Sequence, residues 1–234
     1  IQECVATDIS PETAESLFRI LEDDGNEEPP WQNSNTVTVT SDDQKQEQAV
    51  KCLVKMIHLI HQANLNKRQQ CLVDTPSLLK RFLEIIKLRG FQAHFSRTVF
   101  MVDAIPKILD CDNSAVLQAI FLGVGSFEPV ISVLNFECED EETQNVLYKS
   151  CVLAIQRIMC ASQAAKEAFK DSVGFERICR YLKRLHAPSR EFIHLLFNWV
   201  VEGIYGKENK VINNVDVVLL LLDWLPSLSA ENKR

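Results

Sequence analysis

The sequence predicts an all-α protein built as a solenoid, and three observations carry that prediction. Only seven glycines and eight prolines interrupt 234 residues that are 46% apolar, a balance that suits long helices and leaves too few turn formers for a sandwich or barrel. Apolar residues recur three and four apart along most of the chain, the periodicity of one helix face. Signals that open the last helix of a local unit return at Pro76, Phe127, Phe175 and Val215. Those intervals, roughly 50, 50 and 40 residues, match the period of armadillo and HEAT-type repeats. The expected fold is an armadillo/HEAT-like α-solenoid over 41–234, about four units, preceded by an acidic leader over 1–40 made of one helix and a mobile loop.

The leader opens its helix at Ser10-Pro11-Glu12, with a capping serine, proline at the first helical position and an acid in the first turn. Ala14, Leu17, Phe18 and Leu21 then mark one apolar face. From Gly25 to Thr40 no helical period fits: Pro29-Pro30 and an alternating Thr36 to Thr40 predict an exposed loop, and Trp31 beside the prolines is either a docking motif or a tether to the domain. Charge marks the same boundary. The net charge is −7, but residues 1–47 hold twelve acids against Arg19 and Lys45, a net of −10 that leaves +3 for the remainder.

The body begins at Ser41 with a capping box, Ser and Gln three apart. Ala49, Cys52, Leu53, Met56, Ile57 and Ile60 predict a helix to about Gln62. Polar residues 64–70 lead through Cys71-Leu72-Val73 to a second helix at Thr75-Pro76, with Leu78, Leu79, Phe82, Leu83 and Ile86 inward and a stop at Gly90. Long helix, short helix, long helix is the expected unit. It returns 99 residues later without a gap, Cys151 on Cys52, Ile155 on Met56, Lys166 on Lys67, and Tyr181 and Leu182 on Phe82 and Leu83. Long helices are expected at 141–160, with Val146, Leu147, Cys151, Ile155 and Ile158 inward, and at 190–204, with Phe192, Leu195, Leu196 and Trp199 inward. Leu219 to Trp224 is apolar nearly all round and must be covered on several sides. That helix, and a start at Ile1, predict a segment of a longer solenoid continuing past Arg234.

The same residues narrow the chemistry. The longest apolar run, Val217–Leu222, is too short for a membrane span, and no signal-peptide pattern opens the chain. Eight cysteines are scattered singly, the pattern of reduced, buried thiols and a cytosolic compartment. The acidic balance argues against nucleic acid. His58 and His61 share a helix face, but no third and fourth ligands follow at metal spacing, so packing or solvated histidines are expected. Cys71 or Cys160 as a nucleophile would need a histidine in space, and the structural thiol is the expectation. Gly123-Val124-Gly125 and Gly206-Lys207 lack the context of a phosphate loop. No catalytic residue, no cofactor, no metal and no small-molecule substrate is expected.

One charge pattern suggests a contact surface. Arg177, Arg180 and Arg184, with Lys183 and His186 beside them, are spaced to line one helix face after Gly174. That face would receive an acidic partner or a lipid head group; the competing expectations are a solvated face paired with nearby glutamates, or a contact with the acidic leader of the same chain.

The stretches Val173–Leu182, Pro188-Ser189-Arg190-Glu191-Phe192 and Leu219–Pro226 resemble the armadillo-type solenoid of the large BEACH-domain proteins, nearest the neurobeachin-like branch. The resemblance spans 41–234. It implies a non-catalytic protein-interaction segment of a large cytosolic scaffold, peripheral on endomembranes, in vesicle, granule or lysosome-related trafficking. The alternatives are another armadillo or HEAT adaptor, such as a cargo carrier or a regulator of small GTPases or actin, and a helical enzyme.

Overall fold

A computed structural model describes residues 10–23, 41–65, 74–88, 95–138, 140–206 and 211–228. Among them are eleven α-helices and one short 3-10 turn, Leu225–Ser227, with no strand. The 24–40 loop with Trp31, the 71–73 segment, Lys67, Gly90 and the last six residues lie outside the described residues. The helices fall into two compact units divided between Pro129 and Val130.

The first unit holds α1 (Pro11–Glu22), α2 (Ser41–Leu65), α3 (Thr75–Leu88), α4 (Phe95–Ile108), α5 (Ser114–Gly123) and the start of α6 (Phe127–Val133). Ser10 caps α1 by accepting from the Thr13 amide at 3.1 Å, with Pro11 at the first position as the sequence signals. Ala14, Leu17, Phe18 and Leu21 are buried, and α1 packs on α2 and α3. The leader helix therefore folds back onto α2 and α3. The inward residues expected for α2 and α3 are all buried. The α2 helix runs three residues past Gln62 and packs along α4.

Neither α4 nor α5 was assigned from the sequence, for a physical reason. Arg97, Thr98 and Val99 are buried along with Met101, Val102, Ala104, Ile105 and Ile108, and Lys107 is the one exposed residue of α4, so polar residues sit inside with apolar ones and the contrast between faces that periodicity reads is weakened. Pro106 also lies within α4, where proline ordinarily signals a break. It sits in the last turn, so only the bond to the Val102 carbonyl is forgone. The end of α4 is instead held from α2. The Nε2–H of His58 donates to the Ile108 carbonyl at 3.0 Å, and that of His61 to the Asp112 carbonyl at 3.1 Å. Carbonyls at a helix end have no partner within the helix; His58 supplies one for Ile108, and His61, one turn on, holds the turn that follows α4.

The second unit holds the rest of α6 and α7 (Glu141–Met159), α8 (Gln163–Ser172), α9 (Phe175–Leu182), α10 (Arg190–Val201) and α11 (Val215–Trp224). Asp140, Ser162, Ser189 and Asn214 cap α7, α8, α10 and α11 through their side chains. Gly174 opens α9 at φ +74°, ψ 154°, a region that essentially only glycine enters. Helices α6, α9 and α11 begin at Phe127, Phe175 and Val215, and α3 begins one residue before Pro76.

The unit's core is α7, whose Leu147, Cys151, Ile155 and Ile158 are fully buried. Val146, expected inward, is instead 44% exposed. The aromatic pairs Phe169 with Phe175 and Phe175 with Trp199 tie α8, α9 and α10 together at centroid distances of 5.0 and 5.6 Å. Trp224, fully buried on α11, donates its indole N–H to the Leu182 carbonyl at 2.8 Å and meets Phe192 edge to face. Two helices end earlier than expected: α10, expected over 190–204, stops at Val201, and α9 has only eight residues. Arg184 N–H bonds back to Tyr181 and Leu185 N–H to Leu182, a tightened turn that tucks Leu185 into the core and ends the helix.

Candidate functional site

The short α9 rearranges the basic residues. Arg177 and Arg180 stand on the helix, while Lys183 is its cap residue and Arg184 lies past its end. The four do not form one continuous helical stripe, because the chain has left the helix before Arg184. Arg177 donates its Nε–H to the Tyr181 hydroxyl at 3.3 Å. Lys183 pairs with Asp223 at 2.9 Å. Arg184 donates to the Asn135 carbonyl at 3.3 Å, approaches Glu137 at 3.5 Å and lies 5.4 Å over the Tyr181 ring. Arg180 is exposed. Lys183 and Arg184 thus face acids of their own unit, and Glu15 and Glu22 of the leader helix engage Arg81 of α3.

Lys183, Arg184 and His186 form one wall of an open cleft of about 460 Å³; Glu137, Asp140 and Glu141 stand on the other. Three hydrogen bonds shape it. Asn145 donates to the Glu141 and Ala187 carbonyls at 2.8 and 3.0 Å and accepts from the Ser189 amide at 2.7 Å, so one amide fixes the connection from α9 to α10 against α7. The Asp140 carboxyl, accepting from the Thr143 amide, is held below the usual carboxylate range. Cys138 on the cleft wall has its thiol pushed up to about 11 by burial and by the charge of Asp140. A thiol so protonated is a poor nucleophile.

A second thiol is quenched in the same way. Cys179 donates to Asp223 at 3.1 Å, the carboxylate that also holds Lys183. Burial, then this carboxylate, pushes Cys179 up to about 11. Asp223 is lowered, first by the thiol and then by the ammonium, and Lys183 is raised by the bond to Asp223. Cys138 and Cys179 are both unbridged thiols; Cys71 lies outside the described residues. His58 and His61 are engaged with carbonyls, and among the described residues no three His, Cys, Asp or Glu gather as a metal site. No single helix among the described residues is long and apolar enough to cross a membrane.

Sequence reasoning missed the surface that α11 presents. Its buried side is Val217, Leu220, Leu221 and Trp224, while Val215, Leu219 and Leu222 on the other side are each about 60% exposed. Ile204, Tyr205, Val211 and Ile212 in the preceding connection, and Leu225 after it, are exposed as well. The signal was present in the all-round apolar character of Leu219 to Trp224, but which side stays open depends on where α9 and α10 pack. Exposed apolar side chains gathered on one helix face suit contact with another apolar surface.

Among known families, the model of the neurobeachin alpha solenoid region matches residues 37–234. No solved structure matches the chain.

Proposed function

Because the chain belongs to the neurobeachin alpha solenoid family, we propose that it is a non-catalytic protein-interaction scaffold segment of a large protein in vesicle and endomembrane trafficking, of granules or lysosome-related organelles. The family match over 37–234 is the observation that carries this reading. Stacked helical repeats supply extended surfaces for protein partners, and chemistry has to be grafted onto such a fold by a site. The exposed apolar side of α11 supports protein binding, since it suits contact with another apolar surface. The Cys138 and Cys179 thiols are perturbed away from reactivity, which supports a non-enzymatic role. The proposal places the parent protein in the cytoplasm, peripheral on endomembranes, with proteins and not nucleic acid or small-molecule substrates as its partners. The contact for an acidic partner or lipid head group falls on Arg177, Arg180, Lys183 and Arg184.

The test is capture from cell lysate with the full chain as bait, read by mass spectrometry, beside a Leu219→Glu/Leu222→Glu variant. Enrichment of vesicle-trafficking and endomembrane proteins, lost in the variant, is the expected result. Enrichment of import cargo or actin regulators would move the chain to the general adaptor reading. For the basic face, Arg180→Glu/Arg184→Glu should weaken binding to vesicles containing phosphatidylserine or to the captured partners. Unchanged binding to both would remove that face from the mechanism and leave the scaffold reading intact.

A further inference from the structure

The leader helix α1 is held by contacts that describe a receptor. Arg81 of α3 grips it with all of its fork: Nε–H and one terminal N–H donate to the two oxygens of Glu22, each at 2.8 Å, and the other terminal N–H donates to Glu15 at 2.5 Å. The same guanidinium lies 4.6 Å from the centre of the Phe18 ring. Arg97 of α4, 1% exposed, donates to the Leu21 carbonyl at 2.8 Å, at the C-terminal end of α1. A buried cation at that end is favoured by the helix dipole and by the unpaired carbonyls found there. Between these two arginines, Ala14, Leu17, Phe18 and Leu21 fill an apolar groove on α2 and α3.

Together the contacts read a code. The occupant must be a helix with apolar residues at i, i+3, i+4 and i+7, carboxylates at i+1 and i+8 on the flank that meets Arg81, and a C-terminal turn that reaches Arg97. Emptied, the groove would expose apolar side chains of α2 and α3 and take the Glu15 and Glu22 carboxylates from Arg81, so it suits an occupant of this chemistry. The present occupant is weak by itself. Twelve residues are too few to hold a helix in water without packing, and eighteen residues separate α1 from α2, so its occupancy rests on the groove and on covalent attachment. A longer or preformed acidic helix makes the same contacts without the folding penalty.

We propose that the groove formed by α2, α3 and α4 is a docking site for an acidic amphipathic helix of a protein partner, with α1 as its tethered occupant in the free chain. Partner binding and α1 binding are then mutually exclusive. This proposal does not depend on the trafficking role, since it rests on the groove alone.

The probe is a labelled synthetic peptide of residues 10–23, read by fluorescence anisotropy against the full chain. The wild-type chain binds it weakly, because α1 is already in place. In Glu15→Lys/Glu22→Lys, the tethered helix loses its hold on Arg81 and the free peptide binds at least tenfold tighter. A peptide keeping only the four apolar residues and the two glutamates, with alanine elsewhere, binds within threefold of the original. Equal weak binding to wild type and variant would overturn the proposal. Should that variant fold poorly, Glu15→Gln/Glu22→Gln gives a smaller rise in the same direction, and adding Arg81→Glu to the double-lysine chain restores weak binding by re-forming the pair with reversed sign. Failure of both would likewise overturn it. A wild-type dimer in sedimentation that Arg81→Glu abolishes would replace the partner by a second copy of the chain exchanging α1, and would overturn the assignment to a different protein.

Discussion

At the scale of single residues, the side chains that matter most are polar groups doing one local task. Asn145 satisfies two carbonyls and an amide across α7 and the α9 to α10 connection. Each buried partner it leaves unpaired costs about 1–3 kcal/mol. Asn145→Ala is expected to lower unfolding free energy by about 2 kcal/mol in urea denaturation, and a change below about 0.5 kcal/mol would show that water replaces it. The Cys179, Lys183 and Asp223 cluster gives a pH expectation. Asp223 is lowered in the folded state, so its contribution is present above the ordinary carboxylate pKa and lost as pH falls below it; Lys183 is raised, so its contribution fades only at strongly alkaline pH. The cluster is therefore intact across neutral pH. Asp223→Asn should flatten part of the fall in urea midpoint between pH 6 and pH 3 by lowering the neutral value slightly while leaving the value near pH 3 nearly unchanged. Iodoacetamide at pH 8 should modify Cys111, which is partly exposed, well before Cys179; equal rates would contradict the protonated, buried state of Cys179.

At the scale of elements, helix starts carry strong signatures because caps act through neighbours within four residues. Ser10-Pro11, Ser189 and Asn214 are legible for that reason, and Phe127, Phe175 and Val215 open their helices where the repeat alignment places them. Helix ends are less legible. The turn after α9 depends on Leu185 finding the core, and it moves Lys183 and Arg184 off the helix. The two glycines beside helices test the same logic in opposite directions. Gly174→Ala would meet only the Lys170 carbonyl at 3.7 Å, so space is adequate, yet φ +74° strains it, and a loss of about 1–3 kcal/mol is expected. Gly123→Ala, in the last turn of α5 with nothing within 4 Å, should instead stabilise by about 0.5–1 kcal/mol. Thermal melts of the pair that shifted in the same direction would show that packing, not backbone conformation, governs one of these sites.

At the scale of the whole molecule, the question is which apolar faces are shared and which are left open. Leu219 and Leu222 are about 60% exposed, so Leu219→Glu/Leu222→Glu should change unfolding free energy by less than about 0.5 kcal/mol per site. Preserved stability with lost partner capture assigns the face to binding. A drop of several kcal/mol would instead make it part of the folded core. The leader shows how charge becomes structure at this scale: an excess of acid that marks a boundary in the sequence includes, in Glu15 and Glu22, the counter-ions of one arginine 59 and 66 residues away.

The residues alone determined that the chain is helical, where most helices begin and which residues of α1, α2 and α3 turn inward, because helical period and capping are short-range and survive without a partner. The repeat period carried the solenoid class for the same reason. Tertiary structure decided the rest. It made α4 a buried helix despite Pro106, set Val146 outward, gave His58 and His61 to carbonyls, neutralised Lys183 and Arg184 with acids of their own unit, and left one side of α11 exposed. These outcomes depend on pairings tens of residues apart, where the position of one helix on another, and not the local pattern, fixes which groups meet.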